Sequence, residues 1–372
     1  MTPAPTGRDP RLARALAVGI VLVGLAAAAT LTMRPLFDTT SARGRQPLAT
    51  EPPPEAASPR PPATELAKAD RPAKRKRPPG QNKTAKRHRP SPVPRPTATQ
   101  VLPQPPVDPL LRPFTGLSTW IDIYDIDLTP VQQIERAAAG GVQLIYVQSA
   151  RHKSKTDVED PARLGQVIEL AHDRGMLVMV WYVPDFVHSA RDLRRSQIAI
   201  AFQTPRGDRP DAFGLDVEVE DQPDVGKRSR ALLELSRQLR EWAGPTYPMA
   251  AVVLPPLQLD LRPSWWPGFP WAELRPYYQA IIPMSYSSFR GTDKRTTYQW
   301  NVANVEQIRL LCGDPTVPVH IAGGIADNFP QVGTFVDAVH DVGALGGGLY
   351  DLSTTHPDAW QILAGLRATP PA

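Results

Sequence analysis

Residues 213–220 read FGLDVEVE, which spaces Asp216, Glu218 and Glu220 two apart. In a β-strand, side chains two apart share a face. The run therefore predicts three acids on one face, with Leu215, Val217 and Val219 on the other. The apolar face suits packing on helices, and the acidic face has no core to join. Like charges crowded this closely raise the pKa of at least one carboxyl. Paired carboxylates suit glycoside hydrolysis: one protonates the leaving oxygen, and the other acts as nucleophile, base or stabiliser. Strand residues two apart have Cα atoms about 6.6 Å apart, between the pairings of retaining and inverting enzymes, so spacing leaves the stereochemistry open. A charged Asp216, the deeper of the two, is expected to raise Glu218, making Glu218 the first choice as general acid. Asp216 is then the stabiliser or partner base, and Glu220 the reserve acid. The competing reading is a solvated strand end, or ion pairs with nearby arginines.

Eight strand-like segments surround this run: 116–125, 142–149, 176–183, 213–220, 247–254, 280–286, 317–325 and 343–352, with helical stretches between them. Thr129–Pro130 and Asp160–Pro161 put a capping residue before a proline at a first helical turn. Gly140, Gly175, Gly313 and Gly343 stand where helices end. About eight βα units over about 250 residues predict an α/β fold, a (β/α)₈ TIM barrel. The competing doubly wound sheet wants a glycine-rich first turn, which Ser118–Thr119–Trp120 does not supply. Chemistry in a barrel sits at the C-terminal ends of the strands. The residues expected to bind substrate there are Trp120, Asp122, Trp181, Tyr182, Trp266, Met284, Tyr350 and Asp351. Trp120 and Trp181 also suit a core role. Tyr286 is expected to hold substrate or intermediate. His320 and Asp125 fall in the same set of strand ends.

The run FGLDVEVE resembles the fourth-strand motif D-G-x-D-x-D-x-E of family 18 chitinases. Gly214 and Asp216 match, Glu218 stands for the second Asp, Glu220 falls at the acid position, and Phe213 replaces the leading Asp. PMSYS (283–287) resembles the sixth-strand M-x-Y-D of that family through Met284 and Tyr286, with Ser287 in place of the Asp. There the Tyr and Asp hold the substrate's N-acetyl group, so Ser287 weighs against substrate-assisted catalysis. The LDVE core (215–218) is equally similar to the D-x-E of family 25 muramidases. That likeness makes Glu218 the acid, with Asp122 contributing. Across 114–366 the chain resembles a set of membrane-anchored, glycoside hydrolase-like barrel proteins of actinobacteria, through STWIDIYD, QTPRGD, WPGFPW and HIAGGIAD. This resemblance implies the barrel and a glycosidase-like activity, and brings no substrate with it.

Trp265, Trp266 and Trp271 suit either stacking on sugar rings or anchoring a loop. Glycines in IAGGI (321–325) and LGGGLYD (345–351) suggest a phosphate-binding barrel, or simply close strand packing. The changes at Phe213 and Ser287 keep a third reading open, an inactive barrel that binds glycan. No metal is expected, because the histidines lack ligand spacing, and no cofactor is implied.

The rest of the chain suggests location. A run of about 19 uncharged residues, Ala15 to Met33, is long enough to span a bilayer and follows the short basic segment 1–14. It is expected to be a single-pass anchor with the barrel (114–372) outside; cleavage would give a secreted protein. Residues 34–113 are Pro-rich and carry a net charge of roughly +10, against roughly −7 for 114–372. They suit an extended, disordered spacer that contacts anionic lipid or wall polymer. No aromatics interleave with their KRKR and KRHR runs, which argues against nucleic acid. Cys312 stands alone, so it forms no internal disulfide and no thiolate cluster. The expected partner is a cell-envelope polysaccharide.

Overall fold

The computed structural model describes residues 108–291 and 293–368. The expected anchor, and the spacer as far as residue 107, lie outside the described residues. Among those described, no helix is long and apolar enough to cross a membrane.

Eight strands form one parallel sheet: β1 Gly116–Ile121, β2 Leu144–Arg151, β3 Leu177–Val183, β4 Ala212–Val217, β5 Met249–Val253, β6 Ala280–Pro283, β7 His320–Ile325 and β8 Gly346–Tyr350. Each pairs with its neighbour in sequence, and β1 also pairs with β8. Between β6 and β7 the ladder reduces to two bridges, Ile281↔Val319 and Met284↔Ala322, which bring the sheet round to a nearly closed barrel. Helices follow the strands: α1 Pro130–Ala139, α2 Pro161–His172, α3 Ser189–Ala201, α4 Val225–Ala243, the short α5 Pro256–Leu261 and α6 Trp271–Leu274, then α7 Lys294–Leu311, α8 Val332–Asp341 and α9 Pro357–Leu363. This is the (β/α)₈ barrel that the strand count predicts.

Local chemistry starts the helices as expected. Thr129 and Asp160 accept from the backbone N–H of Gln132 and Arg163, each ahead of a proline in the first turn. The left-handed residue after α1 is Gly141 (φ +72°), one position later than the expected Gly140.

The strand expected over 213–220 is shorter. β4 stops at Val217, paired with Val253, the last residue of β5. Pro184 and Pro255 follow closely on the two flanking strands, so residues 218–220 have no ladder to join. The three acids therefore do not share one strand face. Asp216 is on the strand, Glu218 opens the following loop, and Glu220 is exposed within it.

Glycines let the strands and helices approach closely. A Cβ on Gly346 or Gly348 would meet the backbone of Gly116 or Ser118 at 2.1 Å. A Cβ on Gly323 or Gly347 would strike the ring of Phe335 on α8. The glycines of β7 and β8 are thus needed for packing. The N-terminal end of the barrel is filled from inside. His320 accepts from the Ser118 hydroxyl through Nε2 (2.7 Å) and donates through Nδ1 to the Phe114 carbonyl (2.9 Å). Tyr146 packs on the His320 ring and donates its hydroxyl to the Pro113 carbonyl. His320, at the start of β7, is therefore a core residue at the end opposite the strand C-termini.

Candidate active site

The inward positions near the strand C-termini carry the polar chemistry. Asp216 is 5% exposed and its Oδ1 has no hydrogen-bond partner. Burial, and then the charge of Glu218, push its carboxyl well above the usual carboxylate range. Burial also lifts Glu218, to about 7, against a smaller pull downward from Arg151. The cause differs from the expectation: desolvation raises Glu218, and it is Glu218's charge that acts on Asp216. With half-buried Glu218 raised to about 7 beside buried Asp216, the pair holds a proton up to neutrality.

Tyr286 stands against this pair. Its backbone is in the left-handed region (φ +23°), a strained conformation for a tyrosine, as the chain turns sharply out of β6. Burial, and then the charges of Glu218, Asp216, Asp351 and Asp122, raise its hydroxyl well above its ordinary value. The next residue, Ser287, is buried and donates to the Gly323 carbonyl. The end of β6 therefore presents a phenol and no carboxylate.

From Tyr286 the polar groups continue across the barrel mouth. Its ring lies 6.2 Å from that of Tyr350, and the Tyr350 hydroxyl donates to Asp122 Oδ2 at 2.6 Å. Carboxylate oxygens of Asp122, Asp125 and Asp351 lie within 4.8 Å of one another. The Ser353 hydroxyl lies between Asp125 Oδ1 (2.9 Å) and Asp351 Oδ1 (2.7 Å), with one proton to share between them, and the Asp122 backbone N–H donates to Asp125. Burial and its two acidic neighbours raise Asp125 to about 7. The spacing of Asp122 and Asp125 in sequence is visible, but their meeting with Asp351 depends on β1 lying beside β8. Trp120 and Trp181 form the floor, 2% and 4% exposed, with rings 5.8 Å apart in a T-shaped contact. Their indole N–H groups are buried without partners. Gly214 makes room here, since a Cβ would press on Met179 and Trp181.

Other expected site residues lie elsewhere. Tyr182 faces outward and donates its hydroxyl to the buried Asp192 at 2.7 Å, tying β3 to α3. Trp266 is buried in the loop after β5, held by an indole bond to Ser229, by the Arg228 guanidinium over its ring, and by Phe186 and Phe269. Its environment is that of a loop anchor. Glu220 is exposed and lies 4.0 Å from Arg228. Met284 lines a pocket beside Tyr286 that also involves Gln258, Trp265 and Arg290. Sequence reasoning overlooked Gln258 and Arg290, because nothing in their local pattern marks them.

No family model matches the chain, and no curated protein matches it. Among solved structures, it is similar to a chitinase from Bacteroides thetaiotaomicron at 16% identity, with a TM-score of 0.50 over 68% of this chain and 96% of that one. It is similar to the endo-1,4-β-mannanase of Rhizomucor miehei at 9% identity, with a TM-score of 0.51 over 68% and 95%. A third similarity is to the spore cortex-lytic enzyme SleL of Bacillus cereus, at 8% identity and a TM-score of 0.50 over 68% and 74%. At these identities the likeness establishes a shared barrel fold.

Proposed function

We propose that the barrel hydrolyses glycosidic bonds in a cell-envelope polysaccharide, with Glu218 as general acid, Asp216 as its partner carboxyl and Tyr286 holding substrate or intermediate. The observation that carries this reading is the pair of buried Asp216 and half-buried Glu218 at the C-terminal end of β4, with Glu218 near 7 and Tyr286 against both. A carboxyl near 7 can give a proton to the leaving oxygen and, once ionised, take one from water. The unpartnered Oδ1 of Asp216 is a hydrogen-bonding atom left for substrate. The names of the three similar barrels, a chitinase, a mannanase and a cortex-lytic enzyme, agree with this chemistry. A fold alone hosts many activities, so the argument rests on the carboxyl pair. The phosphate-binding reading has lost its support, because the glycines behind it are occupied in packing against Phe335, Gly116 and Ser118. The proposal includes an extracytoplasmic location for the barrel, on the strength of the apolar run 15–33.

The test is hydrolysis of chitin oligomers and peptidoglycan by the full chain and by Glu218→Gln. Loss of a general acid lowers kcat by about 10²–10⁴-fold. Equal activity in the two proteins refutes the role of Glu218. Glycan binding without cleavage in the parent protein points instead to a binding barrel.

A further inference from the structure

Beside Tyr286, the segments that follow β5 and β6 line a second recess. Gln258, Trp265, Met284, Tyr286, Phe289 and Arg290 are among the residues that line it. Two polar atoms there lack partners. Gln258 is 3% exposed, and its Oε1 is buried with no hydrogen bond. The Nε of Arg290 is likewise buried and unmatched. The Arg290 guanidinium is stacked over Trp300, 4.3 Å from the ring centroid, which fixes its plane. The charged neighbour acting on it is another cation, Arg262, whose guanidinium caps Trp265 at 5.9 Å. Among the described residues, no ion pair joins Arg290 to a carboxylate. Burial and Arg262 lower Arg290 to about 10, so it remains cationic at neutral pH.

A half-buried arginine whose enclosed Nε has no partner and whose charged neighbour is a like charge is short of an anion. A buried amide oxygen is short of a donor. An acidic sugar carries both, a carboxylate for Arg290 and hydroxyls for Gln258, with an apolar ring face suited to Trp265. We propose that this recess is a subsite for a sugar bearing a carboxylate, adjoining the carboxyl pair through Tyr286. The sugar part rests on the glycosidase reading above; the requirement for a carboxylate rests on Arg290 and Gln258 alone.

Binding by the full chain, followed by tryptophan fluorescence and ligand-observed NMR, tests it without any need for turnover. Two pairs of probes are used: glucuronic acid against glucose, and N-acetylmuramic acid against N-acetylglucosamine. The acidic member of at least one pair is expected to bind about tenfold or more tightly. The pair that shows the preference tells whether the carboxylate is on the ring or on a lactyl ether. Arg290→Gln is expected to abolish the preference, and Arg290→Lys to keep part of it because the charge remains. Glu218→Gln is expected to retain it in full, which separates failure of the subsite from failure of the catalytic assignment. Equal binding within both pairs, no binding by any probe, or a preference that survives Arg290→Gln overturns the subsite.

Discussion

Replacing Glu218 by glutamine is expected to stabilise the protein while it removes activity. Glu218 has an ordinary carboxyl value of 4.5 and is raised to about 7 in the fold. Below about 4.5 both folded and unfolded chains hold the proton, and ionisation costs nothing. Between 4.5 and 7 the unfolded chain gives the proton up while the folded chain retains it. Folding stability therefore declines as pH rises, and the loss is complete above about 7. At about 1.4 kcal/mol per pH unit, the gap between 4.5 and about 7 corresponds to about 3 kcal/mol. Glutamine keeps the size of the protonated side chain and never ionises. The variant should thus match the parent at pH 4.5 and exceed it by up to about 3 kcal/mol at pH 8. For a domain of this size, that corresponds to roughly 5–10 °C in Tm. Urea unfolding across pH 4.5–8, monitored by tryptophan fluorescence, measures the difference directly. Parallel stability curves for parent and variant would refute the reasoning, because they would mean that the carboxyl is not desolvated in the fold.

Glycan hydrolysis should fall about tenfold per pH unit above about 7, as Glu218 loses the proton it donates, and a pH–rate profile checks this. Tyr286→Phe should lower kcat by about 10²-fold without a large stability change, as expected for a hydroxyl that meets the reacting centre. Tyr182→Phe should do the reverse, costing about 1–2 kcal/mol through its lost bond to buried Asp192 and leaving kcat unchanged. Paired kinetics and thermal melts distinguish the two tyrosines. Gly323→Ala should destabilise by about 1–3 kcal/mol, because its methyl would overlap the Phe335 ring, and calorimetry would register it. Burial lowers His320 to about 4 in the fold, so the parent should lose stability as pH falls from 6.5 toward 4, where only the unfolded chain takes up the proton. His320→Leu should lack that acid-side loss, at a cost of about 2–4 kcal/mol for stranding Ser118 and the Phe114 carbonyl.

Much of the framework can be read from local chemistry. Apolar runs bounded by prolines and glycines mark all eight strands, and Thr129 and Asp160 mark helix starts through caps that need only a few neighbouring residues. The run FGLDVEVE does supply β4, and Leu215, Asp216 and Val217 are all buried on it. Where the strand ends is not local, because it depends on whether β3 and β5 still run alongside. Proline cuts both off, which moves Glu218 into a loop and Glu220 to the surface.

Trp266 and Tyr182 show the same limit. An exposed-looking tryptophan loop and an aromatic strand end read as ligand contacts, yet Arg228, Ser229 and Asp192 claim them from other elements. The sequence by itself determined the barrel and the acid that β4 carries near its C-terminal end, since these follow from period-two alternation and the directions of parallel strands. The tertiary structure alone decided which carboxyl is desolvated, which tyrosine faces it, and that Gln258 and Arg290 meet beside it. Desolvation and charge proximity depend on neighbours far away in the chain, and no local pattern records them.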